Sequence, residues 1–159
     1  MLDNFKPEIE KKFLVKELPI DINKFQNKEI TQGYISEPSA DITIRIRKYG
    51  DKYFKTLKKK GFESRLENEV EISRNSFEAE WYLTEGKRIR KFRYLIPYKN
   101  RTIELDIFKD QLDGLIIAEV EFNSLEDSKN FIPPAWFGIE VTTNPKFSNS
   151  NLAKFGFPA

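Results

Sequence analysis

The chain has 159 residues, 39% hydrophobic and 33% charged, a length that fits one domain at the usual ~100–200 residues each. It contains no cysteine and no histidine, which excludes disulfides, zinc fingers, iron–sulfur ligation, thiol nucleophiles, serine–histidine triads and imidazole acid/base catalysis. Its 27 Lys+Arg against 25 Asp+Glu leave a net charge of +2, so neither a nucleic acid nor a membrane is indicated as partner, and any electrostatic function must lie in how the charges are arranged.

Met1-Leu2-Asp3-Asn4-Phe5-Lys6-Pro7-Glu8 is broken by charges and proline before an apolar leader could form, and no stretch approaches the ~18–20 apolar residues of a membrane span. A soluble, cytoplasmic protein is expected, with residues 1–159 forming one domain. Period-two alternation then dominates the chain, the mark of strands with two unlike faces. Glu8-Ile9-Glu10-Lys11-Lys12-Phe13 sets Glu8, Glu10 and Lys12 against Ile9 and Phe13. Residues 20–30 are read as holding a helical turn, and Gln32-Gly33-Tyr34-Ile35 as a short strand. Ile42–Arg47 sets Thr43, Arg45 and Arg47 against isoleucines, and pairs with Tyr53–Lys58 through a turn at Gly50-Asp51.

Lys58-Lys59-Lys60 before Gly61 reads as the start of a solvated loop, with function assigned to Lys58 alone. Arg65–Ile72 sets Arg65, Glu67, Glu69 and Glu71 against Leu66, Val70 and Ile72; Arg65 and Glu71 are placed at the rim as salt bridges. Asn75 or Ser76 caps a helix over Phe77–Leu83 that ends near Gly86, with Phe77 and Trp81 as its apolar stripe. Further strands follow: Lys91 and Arg93 share a face of Ile89–Tyr94, Glu104 and Asp106 one of Thr102–Ile107, and Glu119 and Glu121 one of Ile116–Phe122. Ser124-Leu125-Glu126-Asp127 resembles a capping box opening a helix that Pro133-Pro134 must stop. A last helix near Asn151–Phe155 is capped by Gly156, and the Phe147–Leu152 segment is expected to cover one end of the fold. Trp81, Trp136 and Phe137 are assigned to packing.

Amphipathic strands are ordinarily explained by a sandwich with one wet face. Here the polar faces carry same-sign pairs two residues apart: Glu8/Glu10, Arg45/Arg47, Glu67/Glu69, Lys91/Arg93, Glu104/Asp106 and Glu119/Glu121. Such pairs repel, and their recurrence implies a bound counter-charge: a hard divalent cation for the carboxylates and a polyanion for the Lys/Arg pairs. A mainly β (α+β) fold built as a closed, antiparallel barrel of about eight strands, with a few covering helices, brings these faces into one lumen. The implied ligand is a metal-bound polyphosphate.

Glu8-Ile9-Glu10-Lys11-Lys12 matches the ExExK signature of the CYTH, or triphosphate tunnel metalloenzyme, family. The resemblance continues through Gln32-Gly33-Tyr34, Ile44-Arg45-Ile46-Arg47, Thr56-Leu57-Lys58, Glu67-Asn68-Glu69, Lys91 and Arg93, Glu104-Leu105-Asp106, Glu119-Val120-Glu121 and the 131–142 segment. The last of these looks like the small, single-domain bacterial members. The resemblance implies an eight-stranded tunnel binding a linear triphosphate with Mg2+ or Mn2+, in a family that includes inorganic, nucleoside and thiamine triphosphatases and class IV adenylyl cyclases. By that motif Glu8, Glu10, Glu119 and Glu121 are metal ligands, and Glu67, Glu69 and Asp106 serve a second ion or its waters; Glu104 serves either shell. Lys12, Arg45, Arg47, Lys58, Lys91 and Arg93 form a phosphate clamp. Lys12 is open to two roles, phosphate contact or general base, and Tyr34 to two, partner of a lumen lysine or core residue.

The leading expectation is a metal-dependent triphosphatase acting on tripolyphosphate, ATP or another nucleoside triphosphate, as a monomer or homodimer. The alternatives are an adenylyl cyclase forming cyclic AMP and pyrophosphate, and a non-catalytic polyphosphate or nucleotide binder.

Overall fold

The computed structural model describes residues 5–19, 21–60 and 64–158; the readings made at Met1–Asn4, Ile20 and Gly61 lie outside them. The alternating segments become β1 (Lys6–Val15), β2 (Asn27–Tyr34), β3 (Ile42–Tyr49), β4 (Lys52–Lys60), β5 (Arg65–Ile72), β6 (Arg88–Tyr98), β7 (Arg101–Phe108), β8 (Ile116–Phe122) and β9 (Phe137–Glu140). They lie antiparallel in the order β5-β4-β3-β2-β6-β7-β8-β1-β9, and β1 also pairs with β5. Strands β1 to β8 therefore close into the expected eight-stranded barrel. The added strand, β9, borders β1 outside the ring, at Phe13↔Glu140 and Val15↔Phe137.

Three local features depart from the sequence reading. Strand β4 runs on through Lys59 to Lys60 rather than dissolving into loop, because Ile42 and Leu66 flank Lys59 in the ladder. The first helix, α1 (Arg74–Glu80), is capped by Ser73, whose hydroxyl accepts from the Ser76 amide, and a 3-10 turn over Trp81–Thr84 completes it. Ser73 lies one turn ahead of the apolar stripe, so the cap precedes the position that the stripe marks. The helical turn in 20–30 shrinks to a 3-10 turn at Ile22–Lys24. By contrast, Ser124 caps α2 (Leu125–Lys129) through the Asp127 amide, and α3 (Asn149–Phe155) ends at Gly156 with φ +82.

Two apolar clusters hold the barrel. On the outside, Val15, Ile96, Ile103, Leu105, Ala118, Val120 and Phe122 are covered by Phe131, Trp136 and Phe137, with ring centroids of Phe13 and Phe137 4.8 Å apart. The second cluster lies inside. Tyr34, Ile89, Phe108 and Ile117 pack with Leu112, Leu115 and the α3 residues Leu152 and Ala153. Hence the lumen is not charged from end to end: inward positions switch from Lys12 to Leu14, Lys91 to Ile89, Asp106 to Phe108 and Glu119 to Ile117. The register aligns the switches of β1 and β8, with Leu14 opposite Ile117 and Lys12 opposite Glu119, and sets those of β7 and β6 deeper, with Asp106 opposite Ile117 and Lys91 opposite Phe108. Each fully buried apolar side chain contributes ~1.5–3 kcal/mol, so the plug is an anchoring element as well as a floor.

Gly33 sits where β2 meets the 3-10 turn. A Cβ there would lie 2.5 Å from the Thr84 Cβ, and Thr84 is pinned by bonds from its hydroxyl to the Trp81 carbonyl and from Arg88 Nε. Gly33→Ala should therefore destabilise the fold by about 1–3 kcal/mol, read as a lower denaturation midpoint with an unchanged slope.

Candidate active site in the barrel lumen

The closed ring sorts the lumen charges by strand. Going round the barrel, β5, β1, β8 and β7 are neighbours and carry Glu67, Glu69, Glu8, Glu10, Glu119, Glu121 and Glu104, with the cations Arg65 and Lys12 among them; β6, β2, β3 and β4 form the other half and carry Arg93, Arg45, Arg47 and Lys58. An acidic wall thus faces a basic wall across a cavity of about 360 Å³, within the ~300–1,000 Å³ usual for small-molecule sites. Unlike most such sites its lining is almost wholly polar. Ser148, Asn149 and Ser150, at the start of α3, border it, so the Phe147–Leu152 segment does cover one end.

Most cations are already answered by a carboxylate. Lys58 Nζ lies 3.1 Å from Glu8, Arg45 Nη2 3.1 Å and Arg47 Nη2 3.7 Å from Glu69, and Lys12 Nζ 3.8 Å from Glu119. The Thr56 hydroxyl donates to Glu69 at 2.6 Å and accepts from Arg45 at 3.1 Å. Two donors are left over: the Nε atoms of Arg45 and Arg47 are buried with no hydrogen-bond partner among the described residues, as anion-binding guanidinium groups would be. Burial, reinforced by Arg45 and Arg93, depresses Arg47 to about 10.

The surplus on the acidic wall is larger. Cross-strand register sets Glu10 directly opposite Glu121 and Glu104 opposite Glu119, like-charge pairings that destabilise a sheet. Burial, then repulsion from Glu119, pushes Glu10 up to about 8; burial and a shared hydrogen bond with Glu8 push Glu67 up to about 7. Burial also raises Glu104 and Glu121, and repulsion from nearby carboxylates adds to it. Their partners go the other way. Burial alone would raise Glu119, yet Lys12, Arg93, Lys91 and a hydrogen bond from Glu10 hold it well below the usual range. Lys58 and the bond from Glu67 likewise outweigh burial at Glu8 and lower it. Glu10 with Glu119, and Glu8 with Glu67, are thus crowded carboxyl pairs whose two members are shifted in opposite directions. A hard divalent cation would offset this crowding of carboxylates through oxygen ligands alone, so the donor set fits Mg2+ or Mn2+, although no three acids among the described residues already converge into a formed cluster.

Lys12 is buried, and burial alone would lower its pKa, but Glu119 and Glu10 outweigh that and raise it. Lys12 is therefore held as a cation. Tyr34 takes the core role of the two expected, packing into the plug while also lining the cavity; its hydroxyl accepts from Gln32 Nε2 at 2.9 Å rather than from a lumen lysine. Of the residues expected at the site, Lys91 and Asp106 do not line the cavity: each side chain is 1% exposed and they pair at 2.7 Å. Arg65, assigned to the rim, lines the cavity together with Thr43, whereas Glu71 does not. Arg65 stands directly opposite Glu8, a register that nothing local in the sequence encodes.

The CYTH domain family model matches residues 6–141, from β1 to the residue after β9, and the chain belongs to the CYTH domain family. It is 42% identical over 148 residues to an inorganic triphosphatase of Nitrosomonas europaea, covering 92% of this chain and 96% of that protein. An inorganic triphosphatase of Acetivibrio thermocellus is 40% identical over 152 residues, with 92% and 93% covered. A solved structure of an inorganic triphosphatase superposes with a TM-score of 0.70 at 39% identity, covering 94% of this chain and 95% of that one. A Pyrococcus horikoshii structure at 22% identity and TM-score 0.57, over 77% and 84% of the two chains, shares the fold.

In the folded chain Glu10 and Glu67 titrate near 8 and 7 against an ordinary 4.5. The folded state then keeps protons that the unfolded chain has lost, so these groups subtract stability as pH rises from about 4.5 to 8. Glu8, Glu69 and Glu119 are depressed, and their contribution is lost only as pH falls below about 4.5. The metal-free protein should accordingly melt at a lower temperature at pH 8 than at pH 5, and Mn2+ should raise the melting temperature more at pH 8. Scanning calorimetry at both pH values checks this; a Mn2+ effect larger at pH 5 would contradict the assignment of the acidic wall.

Proposed function

We propose that the protein is a divalent-cation-dependent triphosphatase that hydrolyses inorganic tripolyphosphate, or a nucleoside triphosphate, inside its barrel. The observation that carries this reading is the pair of opposed walls in one closed lumen, the acids uncompensated on one side and guanidinium groups with free donors on the other. The names and coverage of the similar proteins support it. The polar lining disfavours a cyclase, since Tyr34 is the one aromatic side chain described in the cavity lining and it is engaged by Gln32 and the plug.

In this reading Arg45, Arg47, Arg93 and Lys58 hold the phosphates extended along the basic wall and stabilise charge on the leaving oxygens, as phosphoryl transfer requires. Glu8, Glu10, Glu119 and Glu121 hold the cation; Glu67 and Glu104 stand next to them. Glu69, already taken by Arg45, Arg47 and Thr56, orients those arginines. When bound, the Mg2+ or Mn2+ neutralises phosphate oxygens and lowers the pKa of the attacking water. Lys12, kept charged between Glu119 and Glu10, contributes a positive charge rather than a base. The products of water attack on tripolyphosphate are phosphate and pyrophosphate. A cytoplasmic location and a single functional domain over the whole chain belong to the same proposal.

Incubation with Mg2+ or Mn2+ and either tripolyphosphate or ATP, followed by separation of products, tests the proposal. Phosphate with pyrophosphate or ADP is expected; cyclic AMP with pyrophosphate, or binding without turnover, overturns it. Glu10→Gln and Glu121→Gln should each cut turnover by ~10²-fold, the scale on which a single charge-stabilising group registers, while circular dichroism stays unchanged. Lys12→Arg keeps the charge and cannot deprotonate, so it should retain most of the turnover. Loss as severe as in Lys12→Ala would restore the base role.

A further inference from the structure

Where β6 meets β7, Asp106, Arg93 and Lys91 form a buried charged cluster of which Arg93 alone lines the cavity. Asp106 is fully buried. Arg93 grips its carboxylate through two parallel bonds, Nε to Oδ1 at 2.8 Å and Nη2 to Oδ2 at 2.9 Å. Lys91 Nζ donates to Oδ2 at 2.7 Å and sits 5.3 Å from the centroid of the Phe108 ring. Arg93 Nη1 reaches Glu104 at 3.3 Å, and Arg93 lines the cavity.

The sequence pattern offered Asp106 as a metal ligand and Lys91 as a phosphate contact. For Asp106 to ligate a cation, its oxygens would have to give up three charge-assisted bonds, and Lys91 would be stranded against Phe108 and the plug. Breaking a buried pair in this way is strongly unfavourable because it leaves an uncompensated charge. Lys91 in turn has no route to a lumen ligand at its 1% exposure. A bidentate carboxylate, however, fixes the plane of a guanidinium group.

We infer that Asp106 is a positioning residue, clamping Arg93 so that its remaining N–H groups face the lumen as a pre-oriented phosphate contact, with Lys91 balancing the buried carboxylate from behind. The inference rests on the triphosphate reading of the lumen, and it separates the two similar acids of β7: Glu104 belongs to the cavity wall and Asp106 to its support.

The test is calorimetric titration of wild-type and variant protein with Mn2+ alone and with tripolyphosphate alone, read beside turnover. Asp106→Asn keeps the shape and removes the charge; it should weaken tripolyphosphate binding about tenfold and leave Mn2+ binding within about twofold of wild type. Lost Mn2+ binding with tripolyphosphate binding intact would overturn the inference. A cycle with Arg93→Gln adds a readout that a purely structural role would not move. If Asp106 acts through Arg93, Asp106→Asn costs nothing further in the Arg93→Gln background. Multiplying losses would show an independent role and overturn it. Should Asp106→Asn fail to fold, Asp106→Glu keeps the charge but displaces the clamp, and the same split between anion and Mn2+ binding is expected. A wild type that binds tripolyphosphate without cleaving it would sink the proposed function while leaving this split to be measured.

Discussion

Three residue pairs, Lys6↔Glu67, Pro7↔Leu66 and Glu8↔Arg65, join the first half of β1 to β5 and turn an open curved sheet into a ring. Closure decides the environment of every inward side chain in the fold. In an open sheet the same charges would face water, where exposed ion pairs are worth little; in a closed one they face each other. The edge of β1 is divided to achieve this, since its other half pairs with β9, which carries the aromatic cover of the outer cluster. A single strand thus seals the lumen at one end and anchors the outer packing at the other.

Once the ring is closed, its interior must be balanced, and it is balanced unevenly. Inward positions near α3 are apolar and form a plug, which confines the charges to one stretch of lumen. Within that stretch Lys58, Arg45, Arg47 and Lys12 are matched to Glu8, Glu69 and Glu119, while Glu10, Glu67 and Glu121 have no cation within ion-pair distance among the described residues. Functional sites often hold arrangements that the fold alone would not favour, and the acidic surplus here is such a case: its like charges work against the barrel, and the proposed cation would offset them.

The same logic explains why residues of one type differ in role. Arg93 and Lys91 share a strand and a face, yet Arg93 borders the cavity while Lys91 lies beside Phe108 and the plug. Glu104 and Asp106 share the next strand, and again the member nearer the plug is engulfed. Depth along the lumen, rather than charge or motif position, separates a ligand-facing group from a supporting one.

Much of this was legible in the amino-acid order. Alternation named the strands and the polar face of each, because side-chain direction in a strand follows from backbone geometry alone. The missing imidazole and thiol limited any metal to carboxylate oxygens, and the same-sign pairs foretold two opposed charge sets. The capping box at Ser124 and the glycine stop after α3 were also local matters. What sequence order could not supply was register and depth. That Arg65 stands across from Glu8, that Asp106 is consumed by Arg93 and Lys91, and that Ile89, Phe108 and Ile117 close the lumen all depend on contacts between distant strands. Strand pairing fixes those contacts only when the ring closes, since a shift of one residue would turn each of these side chains to the opposite face.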